Sequence, residues 1–398
     1  MALVRGPGSL PFPGRPAGSD CLPGIDHVVV LMKENHSYDN YFGMLGRGDG
    51  FTLGPGGTPL NSNPDAAGHQ VRAHHLSLPL NPSLHVSQTW DSSHRQWNDG
   101  AMDGFVTTTG SNDPMGYLDE TDLPWYYSFA RTFGVGDRYF ASVLAPTFPN
   151  RRFLQAATAA GHVSDAIPNP FTRPPAAGLI WDLLDAHGIS WVNYFAEVPD
   201  LALWPRNLVR WHSHLREIGD FGEDCRAGRL PAVSLITPEV FTDEGEFEDD
   251  QLGEAATASL FESASASPLW PRMMFITVWD EGGGFYDHVP PPHAVPPDDM
   301  PPGIHVPPDE PGGYDRYGFR VPCLVASPFA KPGHVSSVVY DHTSILATIE
   351  LKWNLPALTR RDAAASPLAD FLDLSQPPTF LTPPPLRRPT IWPFTGKR

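Results

Sequence analysis

An α/β fold with a mostly parallel sheet covered on both faces is predicted by three features of the chain. From residue 25 onward, short apolar runs of strand length alternate with segments of helical periodicity. The apolar runs are continuous rather than alternating, as strands buried on both faces are. Polar clusters recur where the runs stop, which is where open α/β sheets bind ligands.

The first strand is expected over 25–32. Residues 46–120 break the rhythm; they are loop-rich, with His, Asn, Asp and Trp in excess, and read as an insertion over the C-terminal edge of the sheet. A helix at 121–132, a strand at 134–139 and a helix at 150–160 follow. Next come a helix at 179–187, a strand at 189–195, a helix at 208–218, a strand at 232–236, a helix at 252–264 and a strand at 272–278. A proline-rich loop-like insertion covers 288–318, before a strand at 321–327 and a helix at 342–353. Residues 1–24 are rich in Pro and Gly and read as a flexible arm, and 366–398 as a Pro-rich tail. The main domain is thus expected over 25–365.

Hydrophobic residues make up 41% of the 398, enough for a sizeable core, and 46 Pro with 36 Gly indicate many loops. The formal charge of −18 opposes nucleic-acid backbones and anionic membranes as nonspecific partners. A phosphate substrate stays open where a metal ion or Arg offsets that field. Cys21, Cys225 and Cys323 are far apart, so neither a zinc site nor a disulfide framework is expected. The N-terminal stretch lacks the apolar core of a signal peptide, and no run has transmembrane length. As written, the chain is expected to be cytoplasmic, or secreted or cell-associated if its N-terminus is incomplete.

Residues 25–43, IDHVVVLMKENHSYDNYFG, hold the first ligand candidates. Val28, Val29, Val30 and Leu31 read as a buried strand that ends in Glu34, Asn35 and His36. A carboxylate and a carboxamide at that tip suit a ligand site, although a solvated strand end gives the same pattern. Ser37 suits a helix N-cap. Residues 145–151, APTFPNR, precede a helical pattern, with Thr147 at or near the N-cap and Pro149 in the first turn. Helix N-termini attract phosphate, and a hydroxyl there beside a divalent metal can attack phosphorus. Asn150 and Arg151 suit the non-bridging oxygens. An ordinary Thr-Pro helix start is the bland alternative.

Residues 278–289, VWDEGGGFYDHV, end a strand in Asp280 and Glu281, then turn through glycines to Asp287 and His288. Adjacent carboxylates repel unless a cation or donors offset them, and hard divalent ions take such oxygens. Residues 89–105, TWDSSHRQWNDGAMDGF, place Asp91, His94, Asn98, Asp99 and Asp103 among aromatics. His94 suits a general acid or a phosphate contact; a His beside Trp is more commonly just packed. In 340–350, YDHTSILATIE, Asp341 reads as a helix N-cap and His342 as a first-turn residue facing either solvent or the sheet edge.

In their order along the chain, ENHSYD (34–39), WDSSH (90–94) with MDGF (102–105), PTFPNR (146–151), DEGGGFYDHV (280–289) and DHTS (341–344) resemble one family. It is the bacterial phosphoesterase family of nonhaemolytic-type phospholipases C and AcpA-like acid phosphatases, within the alkaline-phosphatase-like superfamily. The resemblance runs from about residue 25 to about 365. It implies a three-layer α/β/α sandwich with one divalent ion, Ca, Mn, Mg or Zn. Glu34, Asn35, Asp280 and Glu281 would be its ligands, with the hydroxyl of Thr147. Thr147 is also the implied nucleophile. His94, His288 and His342 are implied as phosphate or leaving-group contacts, and Asn150, Arg151 and Asp91 as substrate contacts. The implied reaction has two in-line steps through a phospho-threonine.

The threonine narrows the reaction further. Sulfatases need Cys or Ser where Thr147 stands, so a sulfatase is not expected. In the resembled family Thr accompanies phospholipase C-like members and Ser accompanies acid phosphatases, which favours a phosphodiester, with a phosphatidylcholine-type lipid headgroup as one candidate. One departure is Gly245, in TDEGEF (242–247), where the family has a His. An acid-phosphatase-type phosphomonoesterase and a noncatalytic metal- or phosphate-binding protein are the alternatives.

Overall fold

A computed structural model of the chain describes residues 5–78, 84–245 and 248–391. Its centre is an eight-stranded sheet. The strands are β1 His27–Lys33, β2 Gly134–Gly136, β3 Trp191–Phe195, β4 Leu215–Glu217, β5 Val233–Thr237, β6 Met273–Trp279, β7 Cys323–Ala326 and β8 His334–Ser336. Their spatial order is β8-β2-β7-β6-β1-β5-β3-β4. β7 runs antiparallel to both its neighbours, and the other pairs are parallel.

Period-two alternation along β1 divides the two faces. Val30, with Val233 and Leu235 of β5, meets Leu154, Ile180, Ile345 and Ile349 on one face. These come from helices on the β1 side that also carries the site: Thr147–Ala156, Ile180–Ala186 and His342–Trp353. Leu31 and Lys33 point the other way, toward Ile218, Ala256 and Leu260 of helices Ile218–Ala227 and Asp250–Ser265. Val28 through Met32 are all buried, which is why the run reads as continuously apolar. In chain order the helices used below are α1 Tyr38–Phe42, α2 Trp90–Trp97, α3 Pro124–Thr132, α4 Thr147–Ala156, α5 Ile180–Ala186, α6 Ile218–Ala227, α7 Asp250–Ser265 and α8 His342–Trp353.

The segment 208–218, expected as a helix, instead supplies β4 and only short helical turns. Its apolar residues are anchored individually. Trp211 is buried and donates its indole N–H to Asp185 at 2.9 Å. His214 stacks on Trp191 at 4.0 Å and hydrogen-bonds the Trp191 carbonyl at 2.8 Å. These contacts bring Leu215–Glu217 alongside β3. β8 is the other strand without a sequence counterpart. It follows Lys331–Pro332–Gly333 and is too short to show a period.

Residues 5–24 lie along the end of α8, with Cys21 N–H on Lys352 O at 2.8 Å and Phe12 N–H on Asn354 Oδ1 at 2.9 Å. In the tail, Phe380 O accepts the Trp270 indole N–H at 2.8 Å. The loop 288–318 is tied down by α2, through Asp91 to Glu310 N at 2.8 Å and Arg95 to Glu310 Oε1 at 2.7 Å. All three cysteines are free thiols. Among the described residues no helix is long and apolar enough to cross a membrane.

Candidate active site

Parallel pairing builds the site. The register Lys33↔Trp279 between β1 and β6 brings Glu34 and Asp280 out side by side at the C-terminal ends of adjacent strands. The N–H of Asp280 bonds Lys33 O at 3.1 Å, and the N–H of Glu34 bonds Asp243 O at 2.7 Å. Asn35 then turns with φ 72°, a left-handed conformation that Asn tolerates better than most residues. Gly283 is required beside it. A Cβ there would stand 1.9 Å from Asn35 O, at φ +63°. Ser37 caps α1 as expected, accepting Asn40 N–H at 3.1 Å.

Thr147 is the first residue of α4, with Pro146 as N-cap. It is not the N-cap, and this matters chemically, because its hydroxyl is not spent on capping. Thr147 Oγ1 instead lies 3.4 Å from Asn35 Oδ1. The acceptor at the helix start is Asp165, whose Oδ1 takes the Phe148 N–H at 2.7 Å. No sequence motif marks Asp165.

Arg151 and Asn150 hold the site together rather than pointing into it. Arg151 is buried and donates to Asp280 Oδ2 at 2.7 Å, Asp200 Oδ1 at 2.9 Å and Glu34 Oε1 at 3.2 Å. The donors of its guanidinium fork are therefore taken up by carboxylates. The Asn150 carboxamide is buried. It accepts Val143 N–H at 3.1 Å and donates to Ala145 O at 2.7 Å and Pro146 O at 3.1 Å. It fixes the turn that delivers Thr147. Asn150→Ala is accordingly expected to cost about 1–3 kcal/mol by orphaning these groups, and to lower kcat with little change in KM. Urea unfolding and steady-state kinetics on one preparation check both; a raised KM with an unchanged urea midpoint would restore Asn150 as a substrate contact.

The histidines are placed differently from one another. His342 is fully buried; its Nε2 donates to Asp280 O at 2.7 Å, and its Nδ1 faces the Tyr139 hydroxyl at 3.2 Å. Burial holds its pKa down to about 4. It is a neutral support beneath Asp280, not a phosphate contact, because both ring nitrogens are in use. His288 pairs with Asp39 at 2.6 Å and reaches Asp49 at 3.3 Å. Burial opposes its charge, but the hydrogen bond and charge of Asp39 outweigh this and raise it to about 8. His94 donates Nδ1–H to Trp90 O at 2.8 Å, which leaves Nε2 as the unprotonated nitrogen; burial lowers its pKa. Its Nε2 fits against Gly312, where a Cβ would come within 2.2 Å. Asp91 is engaged by Glu310 N and so anchors the 288–318 loop.

A divalent cation fits the donor chemistry. Glu34, Asn35, Thr147, Asp280 and Glu281 offer carboxylate, carboxamide and hydroxyl oxygens, a set for a hard ion. Among the described residues Asp280 Oδ1 is buried without a hydrogen-bond partner, which is costly unless a cation meets it. Burial pushes the Asp280 carboxyl up against the pull of Arg151. Tighter His/carboxylate groups, with ligand atoms within 4.8 Å of one another, lie at Asp39–Asp287–His288 and His75–Asp119–Asp122. The first already surrounds the guanidinium of Arg320, 2.9 Å from both Asp39 and Asp287.

Beneath the site is a buried network that no motif announces. Glu244, with Lys33, Tyr41, Tyr126, Asp250 and His36, is sealed from solvent. It belongs to the segment around Gly245, of which residues 246 and 247 lie outside the described residues. At Gly245 the described atoms nearest a Cβ belong to Glu248, at 3.5 Å. Beside Glu34 opens a groove of about 590 Å³, lined by Phe148, Leu203 and Leu208 with Arg151, Asp200 and Asp243.

A hydroxyl beside paired carboxylates at the C-terminal edge of the sheet suits hydrolysis of a phosphoric ester. The chain belongs to the phosphoesterase family, whose model matches residues 25–356. It is 31% identical to phospholipase C A of Mycobacterium tuberculosis, over 96% of this chain and 82% of that protein. It is 32% identical to phospholipase C B of the same species, over 93% and 81%. With non-specific phospholipase C1 of Arabidopsis thaliana the identity is 30%, over 89% and 72%. A Vibrio parahaemolyticus protein of the alkaline phosphatase superfamily overlays with a TM-score of 0.43 at 10% identity, covering 87% of this chain and 71% of that one.

Proposed function

We propose that the chain is a metal-dependent phosphodiesterase of phospholipase C type that works through a phospho-threonine at Thr147. The observation that supports this best is the uncapped hydroxyl of Thr147 at the start of α4, 3.4 Å from Asn35 Oδ1. Glu34, Asn35, Asp280, Glu281 and the Thr147 hydroxyl would hold the cation. A divalent ion there supplies charge neutralisation at phosphorus and a lowered pKa for the hydroxyl. In the first step the Thr147 Oγ–P bond forms as the P–O bond to the leaving alcohol breaks. In the second, water attacks the phospho-threonine and releases Thr147 with the phosphorylated product. With Nε2 unprotonated, His94 would pass the Thr147 hydroxyl proton to the leaving alcohol in the first step and a water proton to Thr147 Oγ in the second. His342 and Arg151 keep Asp280 in place throughout.

The groove beside Glu34 favours a diester with an apolar leaving group over a monoester, since a monoesterase has no use for that apolar wall. The test is turnover of p-nitrophenyl phosphorylcholine and p-nitrophenyl phosphate, each with and without EDTA. Chelation is expected to lower the diester rate at least about 100-fold, with recovery on adding back one of Mg, Mn, Ca or Zn. A strong monoester preference would replace the diester reading with the phosphatase one. Full activity in EDTA would remove the metal.

A further inference from the structure

Two consecutive arginines on α4 are treated differently. Successive helical residues point about 100° apart, so Arg152 does not share the carboxylates that hold Arg151. It is 1% exposed, and its guanidinium lies over the Trp204 ring, 4.5 Å from the centroid. Its Nε and Nη1 are buried with no acceptor among the described residues. Trp204 Nε1 and Asn207 Nδ2 are buried without one as well. Both belong to one turn, closed by the Asn207 N–H on Trp204 O at 2.9 Å. His162 is half-buried, and its carbonyl accepts the Tyr314 hydroxyl at 2.7 Å.

An aromatic face offsets only part of the cost of burying a guanidinium. The charge is not shed either, because burial holds the Arg152 group down only to about 10, so it stays protonated at neutral pH. Burial, and then the Arg152 charge, push the His162 imidazole down to about 4. An anion between the two would reverse that repulsion and make His162 a second charged donor. Guanidinium, indole N–H and carboxamide N–H are all donors, a set that suits an acceptor with several oxygens and not a cation. We propose that Arg152 and His162 form a binding site for a phosphate-type dianion, separate from Thr147, with Trp204 Nε1 and Asn207 Nδ2 as neutral donors and His162 on the solvent side. The phosphodiesterase reading is not needed for it.

The test follows urea midpoints of the full chain in EDTA as inorganic phosphate replaces chloride at constant ionic strength, with acetate as a second titrant. EDTA withdraws the cation that would draw phosphate to Thr147. The wild-type midpoint is expected to rise with phosphate, as binding to the folded state requires, and by at least about twice as much as with acetate. Arg152→Met removes the charge at similar volume, so its midpoint in chloride should lie above that of the wild type, and phosphate should not move it. Arg152→Gln keeps a donor without the charge; it should lose the phosphate response equally and serves if the Met variant does not fold. Turnover of p-nitrophenyl phosphorylcholine by either variant with metal present, and its inhibition by phosphate, should stay within about twofold of wild type, the two sites being independent. An equal phosphate response in wild type and variants overturns the proposal, as does no response in the wild type, the result if water alone serves these donors. An equal wild-type response to acetate overturns it too. Loss of the response together with loss of phosphate inhibition puts the ion at Thr147 and likewise overturns it.

Discussion

Thr147→Ala is expected to lower turnover of every phosphoester on the order of 10⁴-fold or more while leaving the urea midpoint unchanged. The two halves of this result come from different features. Activity falls because the hydroxyl is the proposed nucleophile and no other hydroxyl stands at the start of α4. Stability holds because Thr147 Oγ1 makes only a long 3.4 Å approach to Asn35 Oδ1, so little is orphaned by its loss. The helix start is equally untouched, since Pro146 is the N-cap and Asp165 accepts the Phe148 N–H. Ala is also a strong helix former. Thr147→Ser keeps a hydroxyl and is expected to keep measurable turnover. Acid-quenching the enzyme with ³²P-labelled diester should give a phosphopeptide containing Thr147 in the wild type and none in the Ala variant. Normal turnover by Thr147→Ala would end the phospho-threonine mechanism.

The strands and the strand-end carboxylates could be read from the chain because they depend on local pattern. Residues 28–32 are apolar because both faces of β1 are covered, and Glu34 and Asp280 are polar because the strands stop there. Direction was not legible. Asn150 lies between Pro149 and Arg151 in a motif that suits phosphate, yet its partners are carbonyls of its own turn. His342 sits at the start of a helix beside the sheet edge, but it turns inward because the Asp280 carbonyl and the Tyr139 hydroxyl wait there. Those partners are 62 and 203 residues away, so no window of sequence contains them. The segment 208–218 shows the same limit in reverse. Helical spacing of Leu, Trp and Ile was outweighed by the long-range anchoring of Trp211 and His214 on β3 and Asp185. Lys33 carried one usable signal: a lysine that continues a fully apolar strand must either leave the core or find a carboxylate.

That carboxylate is Glu244, and Glu244→Ala is expected to destabilise the protein by about 3–5 kcal/mol, the usual result of leaving a buried charge alone. Lys33 Nζ lies 3.1 Å from Glu244 Oε1, with neither side chain more than 1% exposed. The same carboxylate accepts the Tyr126 hydroxyl at 2.6 Å, the Tyr41 hydroxyl at 2.9 Å and the Trp279 indole N–H at 2.9 Å. Truncation therefore removes a shared acceptor from donors of β1, α1, α3 and the end of β6 at once, although the Tyr41 and Tyr126 hydroxyls keep Asp250 at 2.7 Å and Thr257 at 2.9 Å. It also opens a void under Gly253, whose Cα packs so closely that a Cβ would fall 2.2 Å from Glu244 Cγ. Backbone strain gives no relief, because Glu244 is held at φ 73° and Ala is no more comfortable there. The damage should reach the site, since Asp243 O, one residue earlier, holds Glu34 N–H, and Lys33 O holds Asp280 N–H. Turnover is thus expected to fall even under conditions where the variant is still folded. The double variant Lys33→Met, Glu244→Leu separates charge from packing: if the unpaired ammonium is the main penalty, it unfolds at a higher urea concentration than Glu244→Ala. A Glu244→Ala protein with the wild-type urea midpoint would mean that the carbonyls of Thr242 and Gly253, which Lys33 Nζ also reaches, suffice to hold the charge.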